Sequence, residues 1–338
     1  MKKRALDIFK FLFFLSLGCL LVWLAVKDKT DEELANIKIA LHQADYSWII
    51  FSLVLSTFSH IVRALRWKLL LEPLNHFPKL SNTFFAVMVG YLANFALPRL
   101  GEVSRCGVLN RYEKVPFTEG FGTVIAERAL DMICLILLFF IILGLEFTKI
   151  YGIANDLIFD TISQKMHALF QNKRLLLTFS ITAVFLTTAF FYFRKKIKIL
   201  LGAKIKGFVK GLWDGLKSIK NVKKPILFIS YTVFIWFLYI LQVYICFFAF
   251  NETGQLSLNV AAVIVVFGSL GIIAVPGGTG AYQVIVIQIL TTVYFISSTT
   301  AFAFAWAGWT SQFVIIIFLG LISLLLLPLL NKEKKKNV

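Results

Sequence analysis

Residues 301–330 read AFAFAWAGWTSQFVIIIFLGLISLLLLPLL, without one charged side chain. As a helix rising 1.5 Å per residue this stretch reaches about 45 Å. A bilayer core is about 30 Å thick, so the stretch is long enough to span it with tilt. Working outward, comparable apolar runs occupy 8–26, 46–65, 120–145, 175–193 and 225–250. These are continuous runs, not the short alternating segments of a transmembrane β-barrel. The reading is therefore all-α: a polytopic integral membrane protein with about six full spans.

Composition agrees. The chain has 338 residues, 59% hydrophobic and 16% charged, against about 45–50% and about 25% for soluble domains. Spans and loops use nearly all of it, so 1–338 reads as a single transmembrane domain. It divides into a first half at 1–193, a linker at 194–224, a second half at 225–330 and a basic tail at 331–338. The run at 8–26 is too long for a signal peptide and lacks a small-residue cleavage site, so it reads as a retained first span. The net charge of +17 follows from Lys and Arg gathering in cytoplasmic loops, and no nucleic-acid motif accompanies it. The four cysteines and four histidines have no disulfide or metal-ligand spacing, so neither a metal nor a cofactor is expected.

Two further apolar stretches are interrupted. Residues 81–97 are short for a span and contain Gly90 and Asn94 before Pro98. Residues 258–275 and 281–296 flank Pro276-Gly277-Gly278-Thr279-Gly280. The first reads as a re-entrant hairpin, and the second as either two full spans or one broken hairpin; membranes tolerate broken backbone only where protein or a cavity surrounds it. A matched pair of interrupted segments, one per half, points to a transporter-type site at a repeat interface. An inverted repeat fits this pairing, although no residue-level repeat is visible. Placing the N-terminus, the 99–114 loop, the 194–224 segment and the tail inside satisfies the positive-inside rule. The mixed-charge stretch 27–45 reads as a loop. The 194–224 segment carries eleven basic residues against Asp214. With Leu201, Ile205, Phe208, Leu212, Leu216 and Ile219 at helical spacing, it reads as a cationic amphipathic helix on an anionic leaflet or a plain loop.

Four constellations carry chemistry. In Asn94…Pro98-Arg99-Leu100-Gly101-Glu102-Val103-Ser104-Arg105, Pro98 and Gly101 act as structural hinges. Glu102 falls in the first turn of a following helix, where Arg105 lies on its face and can pair with it. Arg99 is then left to face an anion, which a guanidinium grips with two donors. Glu127, Arg128 and Asp131 share one helix face; charges in a span usually face the interior and pair, so they serve either ligand contact or packing. In the glycine turn, Pro276 is the hinge. Gly277, Gly278, Gly280 and Gln283 sit where a helix N-terminus would present free N–H groups to an anion. Arg63-Ala64-Leu65-Arg66-Trp67 reads first as an interfacial anchor, second as a headgroup contact. No nucleophile–base set and no ATP-binding motif appears, so an enzyme is not expected.

These pieces, in this order, resemble the flippase-like family of the transmembrane region of lysylphosphatidylglycerol synthase, the membrane half of the multiple peptide resistance factor. The matching residues are Arg63-Ala-Leu-Arg66-Trp67, Asn94…Pro98-Arg99-x-Gly101-Glu102-x-x-Arg105, Glu127-Arg128-x-x-Asp131 and Pro276-Gly-Gly-x-Gly280. The family often has Glu where this chain has Gln283. The synthases' aminoacyl-transfer domain is not expected here, because the chain ends at Val338 just past its last apolar run.

The resemblance implies movement of a lipid between leaflets: an anionic or aminoacylated phospholipid, or a polyprenyl-phosphate lipid. The expected setting is a bacterial-type inner membrane with both termini cytoplasmic. Expected partners are membrane lipids with anionic headgroups, with homo-oligomers left open. Two rival readings remain: a small-solute or ion transporter, and a non-transporting partner of a lipid-modifying enzyme.

Overall fold

The computed structural model describes residues 27, 30–96, 100–146 and 222–331. The runs at 8–26 and 175–193, nearly all of the basic segment 194–224, the residues Pro98 and Arg99, and the tail from 332 lie outside the described residues. So do the side chains of Ala96, Ala274 and Pro276. Among the described residues every regular element is a helix.

The first helix, α1 (Asp31–Gln43), corrects the loop expected at 27–45. Thr30 caps it: its hydroxyl accepts from the Glu33 N–H at 3.2 Å, and the Glu33 carboxylate accepts from the Thr30 N–H at 2.9 Å. This reciprocal capping box satisfies two otherwise orphaned donors. Asp45 then caps α2 (Tyr46–Leu71) by accepting from Ser47 N–H. This helix runs six residues past the expected boundary at 65, because the side chains there are buried instead of meeting water.

Helix α3 (Leu80–Ala96) passes through Gly90 and Asn94 without a break and packs against α4 (Leu100–Glu113) as a hairpin. The interruption thus falls between Ala96 and Leu100. The hairpin closes on two glycines. A Cβ on Gly101 would run into the Gly90 carbonyl oxygen and lie 2.6 Å from the Asn94 carboxamide. The Asn94 side chain itself accepts from the Gly101 N–H at 2.8 Å.

Helix α5 (Phe117–Leu145) follows, then α6 (Pro225–Phe247), which opens with Pro at its first position, where a missing N–H costs nothing. Helices α7 (Leu258–Ala274) and α8 (Ala281–Gln288) form a second hairpin across the glycine turn, and α8 widens into a π turn at Ile289–Val293. Gly277, Gly278 and Gly280 have φ of 68°, 73° and 78°, a region that L side chains rarely enter. The last helix, α9 (Ser298–Leu330), contains the charge-free stretch 301–330.

Among the described residues four helices are long and apolar enough to cross a membrane: Tyr46–Leu74 (α2 with its 3₁₀ extension), Phe117–Leu145, Pro225–Phe247 and Ser298–Leu330. They coincide with the expected spans over 46–65, 120–145, 225–250 and 301–330. Large apolar side chains such as Val54, Phe140, Val233 and Leu325 stay exposed on their outer faces, as lipid contact requires. Helix α2 lies at the centre, packed along α6 and against α3, α5 and α9.

Candidate functional site

Two turns of α2 place Arg63 and Arg66 on one face. Two residues of α5, Glu127 and Asp131, face them from across the bundle. Arg63 Nη1 donates to Glu127 Oε1 at 2.9 Å, and its Nη2 donates to Asp131 Oδ2 and to the Tyr239 hydroxyl, each at 3.0 Å. Arg66 Nη2 donates to the same Glu127 Oε1 at 3.1 Å. Its Nη1 lies 2.8 Å from Asp131 Oδ1, an ion pair without hydrogen-bond alignment. Arg105 of α4 completes the cluster, donating to Glu127 Oε2 at 2.6 Å.

Burial is nearly total. The side chains of Arg66 and Glu127 are 0% exposed, those of Arg63 and Arg105 5% and 4%, and Asp131 13%. An unpaired charge at such depth is prohibitive, whereas a paired and hydrogen-bonded one is tolerated. Three guanidiniums facing two carboxylates leave one positive charge in excess. The Nε atoms of all three arginines also lack hydrogen-bond partners.

The surroundings hold this geometry. The Arg105 guanidinium lies 3.8 Å from the centroid of the Trp67 ring, a cation–π contact strengthened by desolvation. Trp67 is pinned in turn, its indole N–H donating to Thr123 at 2.9 Å. Leu71, Val87, Cys106, Leu109 and Phe228 pack around it.

Several expectations are corrected by these contacts. Arg63, Arg66 and Trp67 are not an interfacial anchor; among the described residues all three are buried, at 4%, 0% and 0% exposed. Arg105 does not pair with Glu102 one turn away. It turns inward to Glu127, while Glu102 meets Arg128 at 3.3 Å near the surface. Glu127 and Asp131 thus act together, and Arg128 points elsewhere.

The two hairpin turns lie against each other. Phe95 sits so close to Gly277 that a Cβ there would lie 2.7 Å from its ring. The Trp309 indole N–H of α9 donates to the Gly277 carbonyl at 2.8 Å, and Phe313 stacks on Trp309 and meets Phe95 edge-on. Asn94 and Gly101 belong to the first turn. Gly277, Gly278 and Gly280 form the second, with α8 starting directly after Gly280, as expected. Gln283 is 1% exposed, and neither end of its amide has a hydrogen-bond partner.

Sequence reasoning missed Tyr239 and Thr232, the α6 hydroxyls that reach Arg63 and Arg66. Their seven-residue spacing, two helical turns, was the available signal. It also missed His60 and the buried serines that precede it on α2. Among the described residues no group of His, Cys, Asp and Glu side chains could hold a metal ion, and Cys106, Cys134 and Cys246 are free thiols.

The family model described as the lysylphosphatidylglycerol synthase TM region matches residues 8–320. The chain belongs to this family. All four quoted motifs fall inside the matched region. Two curated relatives are UPF0104 membrane proteins. That of Methanocaldococcus jannaschii is 22% identical over 303 residues, covering 86% of this chain and 88% of the relative. That of Methanothermobacter thermautotrophicus is 25% identical over 271 residues, 75% of this chain and 77% of the relative. No solved structure matches.

Proposed function

We propose that this member of the lysylphosphatidylglycerol synthase TM region family is a lipid translocase that moves a phosphate-bearing lipid between leaflets and catalyses no covalent step. The observation that carries the reading is the positive excess of the buried cluster: Arg63, Arg66 and Arg105 against Glu127 and Asp131. Ionisable groups inside a membrane bundle mark substrate and ion pathways, and a guanidinium grips phosphate oxygens with two donors.

Arg99 lies by sequence in the break between α3 and α4. In this reading it receives the phosphate first, and the cluster behind it offers the attraction that draws the headgroup away from water. The acyl or prenyl chains remain in the lipid phase throughout. The membrane is a bacterial-type inner membrane, with both chain ends on its cytoplasmic side. The candidate cargoes are an anionic phospholipid, an aminoacylated one and a polyprenyl phosphate.

The test is reconstitution into liposomes with labelled anionic lipids. Wild-type protein is expected to move them between leaflets, and Arg99→Ala to remain folded but inactive. Full activity in a folded Arg99→Ala variant overturns the role given to that residue. Movement of a small ion without lipid overturns the translocase reading in favour of a solute transporter.

A further inference from the structure

The polar side chains of α2 do not stop at the arginines. Ser52, Ser56, Ser59, His60, Arg63 and Arg66 are all buried. At 100° per residue they fall within an arc of about 120° and extend about 21 Å along the helix. The opposite face carries Ile50, Phe51, Val54 and Phe58, all exposed apolar side chains. Serines are at home where membrane helices pack, but each polar group in an apolar interior must find a partner.

Most of these groups do find one. Ser52 and Ser59 hydroxyls donate to the carbonyls of Ile49 and Ser56 on their own helix, and Ser56 donates to the Gln312 side chain of α9 at 2.7 Å. His60 does not. It is 6% exposed, its ring lies tilted at 46° to that of Tyr91 with centroids 4.8 Å apart, and neither ring nitrogen has a hydrogen-bond partner. It sits one turn before Arg63, between the charged cluster and the serines. A buried imidazole always has a nitrogen to offer, and leaving both unpaired is costly.

We propose that this face of α2 is the path along which the phosphate group travels after leaving the arginine cluster, with His60 as its midway hydrogen-bond donor. The Ser52 and Ser59 hydroxyls, now turned back on their own helix, and that of Ser56, now on Gln312, can rotate toward a passing phosphate. The carbonyls they release keep their helical hydrogen bonds. The chemistry recognised is a phosphate oxygen, whether on a lipid headgroup or as free phosphate. The lipid source rests on the translocase reading above.

The experiment uses the full chain in phosphatidylcholine liposomes, with its four native cysteines replaced by alanine. Ser56→Cys and His60→Cys are expected to react with a small, charged, water-soluble thiol reagent as the path opens. Val54→Cys, on the lipid face, is expected not to. Phosphatidylglycerol in the membrane, or inorganic phosphate in the buffer, should slow both stripe reactions about tenfold; the arm that protects identifies the source. Unreactive stripe positions in folded protein, or reactivity that neither ligand alters, overturns the path.

Lipid movement is followed in the same liposomes. His60→Leu is expected to slow it about tenfold, the scale of one lost hydrogen bond to a charged group. His60→Gln, which keeps a donor, should stay near the wild-type rate. Wild-type rates in His60→Leu overturn the donor role. A reactive, phosphate-protected stripe in a protein that moves no lipid leaves the path standing and removes the translocase reading.

Discussion

The two helical hairpins share a shape and differ in what surrounds it. The first, α3–α4, closes because Gly90 and Gly101 allow backbone against backbone, and its second arm carries Arg105 into the charged cluster. The second, α7–α8, turns on three glycines at positive φ and carries no charged side chain between Leu258 and Tyr294. One hairpin thus delivers chemistry, and the other delivers a turn that abuts it. Glycine sets the geometry in both, whereas the charge comes from the helices each one meets.

The largest break in this contrast is expected from Glu127→Ala. It strips three guanidiniums of a common acceptor and leaves uncompensated positive charge in the interior, at a cost of about 3–5 kcal/mol. Thermal unfolding in detergent measures it, and Glu127→Asp should recover part of the loss. Next comes Gly101→Ala, which drives a methyl into the Gly90 carbonyl and the Asn94 side chain; overpacking of this kind costs about 1–3 kcal/mol. Gly277→Ala should be comparable, combining left-handed strain of about 1–2 kcal/mol with the Phe95 contact. If Gly101→Ala proves harmless while Gly277→Ala does not, the first hairpin does not depend on close backbone approach and the comparison fails.

A smaller effect is expected at Trp309→Phe, which removes the donor to the Gly277 carbonyl while keeping an aromatic ring. A loss of about 1 kcal/mol, seen as a lowered Tm, would show how firmly α9 holds the second turn. The smallest concerns Glu252, in the turn between α6 and α7. Burial acts to raise its pKa. The hydrogen bonds it accepts from Ser297 and Thr300 outweigh that and hold it below its ordinary value of 4.5. Its contribution is therefore complete above about pH 4.5 and fades as the medium is acidified through its lowered folded value. Melting curves should show a small acid-dependent loss in wild type that Glu252→Gln lacks.

The spans over 46–65, 120–145, 225–250 and 301–330 were legible because length and a predominance of apolar residues suffice to identify them. The interruptions between Ala96 and Leu100 and at Pro276–Gly280 were legible because proline and glycine act locally. The start of α1 was also available in Thr30-Asp31-Glu32-Glu33, a capping signature hidden by the surrounding charges. The pairing of Arg63 with Glu127 was not legible, since the partners stand 64 residues apart and only packing brings them together. Counting basic residues places Arg63 and Arg66 at a water boundary. That count cannot register carboxylates arriving from another helix. The serines of α2 escaped notice because a hydroxyl barely lowers the hydropathy of an apolar run, although their helical spacing was there to read.

Helix α9 touches both hairpins and is held at its far end. Asn331, directly after it, exchanges a reciprocal pair of amide hydrogen bonds with Asn82 at the start of α3, each 2.8 Å. Leu92 packs on Gly320 further along, and Trp309 grips the glycine turn beyond that. The start of α9 is held as well, by the bonds that Ser297 and Thr300 donate to Glu252. Helix α9 is therefore a brace pinned at both ends, and it keeps Trp309, about 33 Å from the clasp at 1.5 Å per residue, against the Gly277 carbonyl.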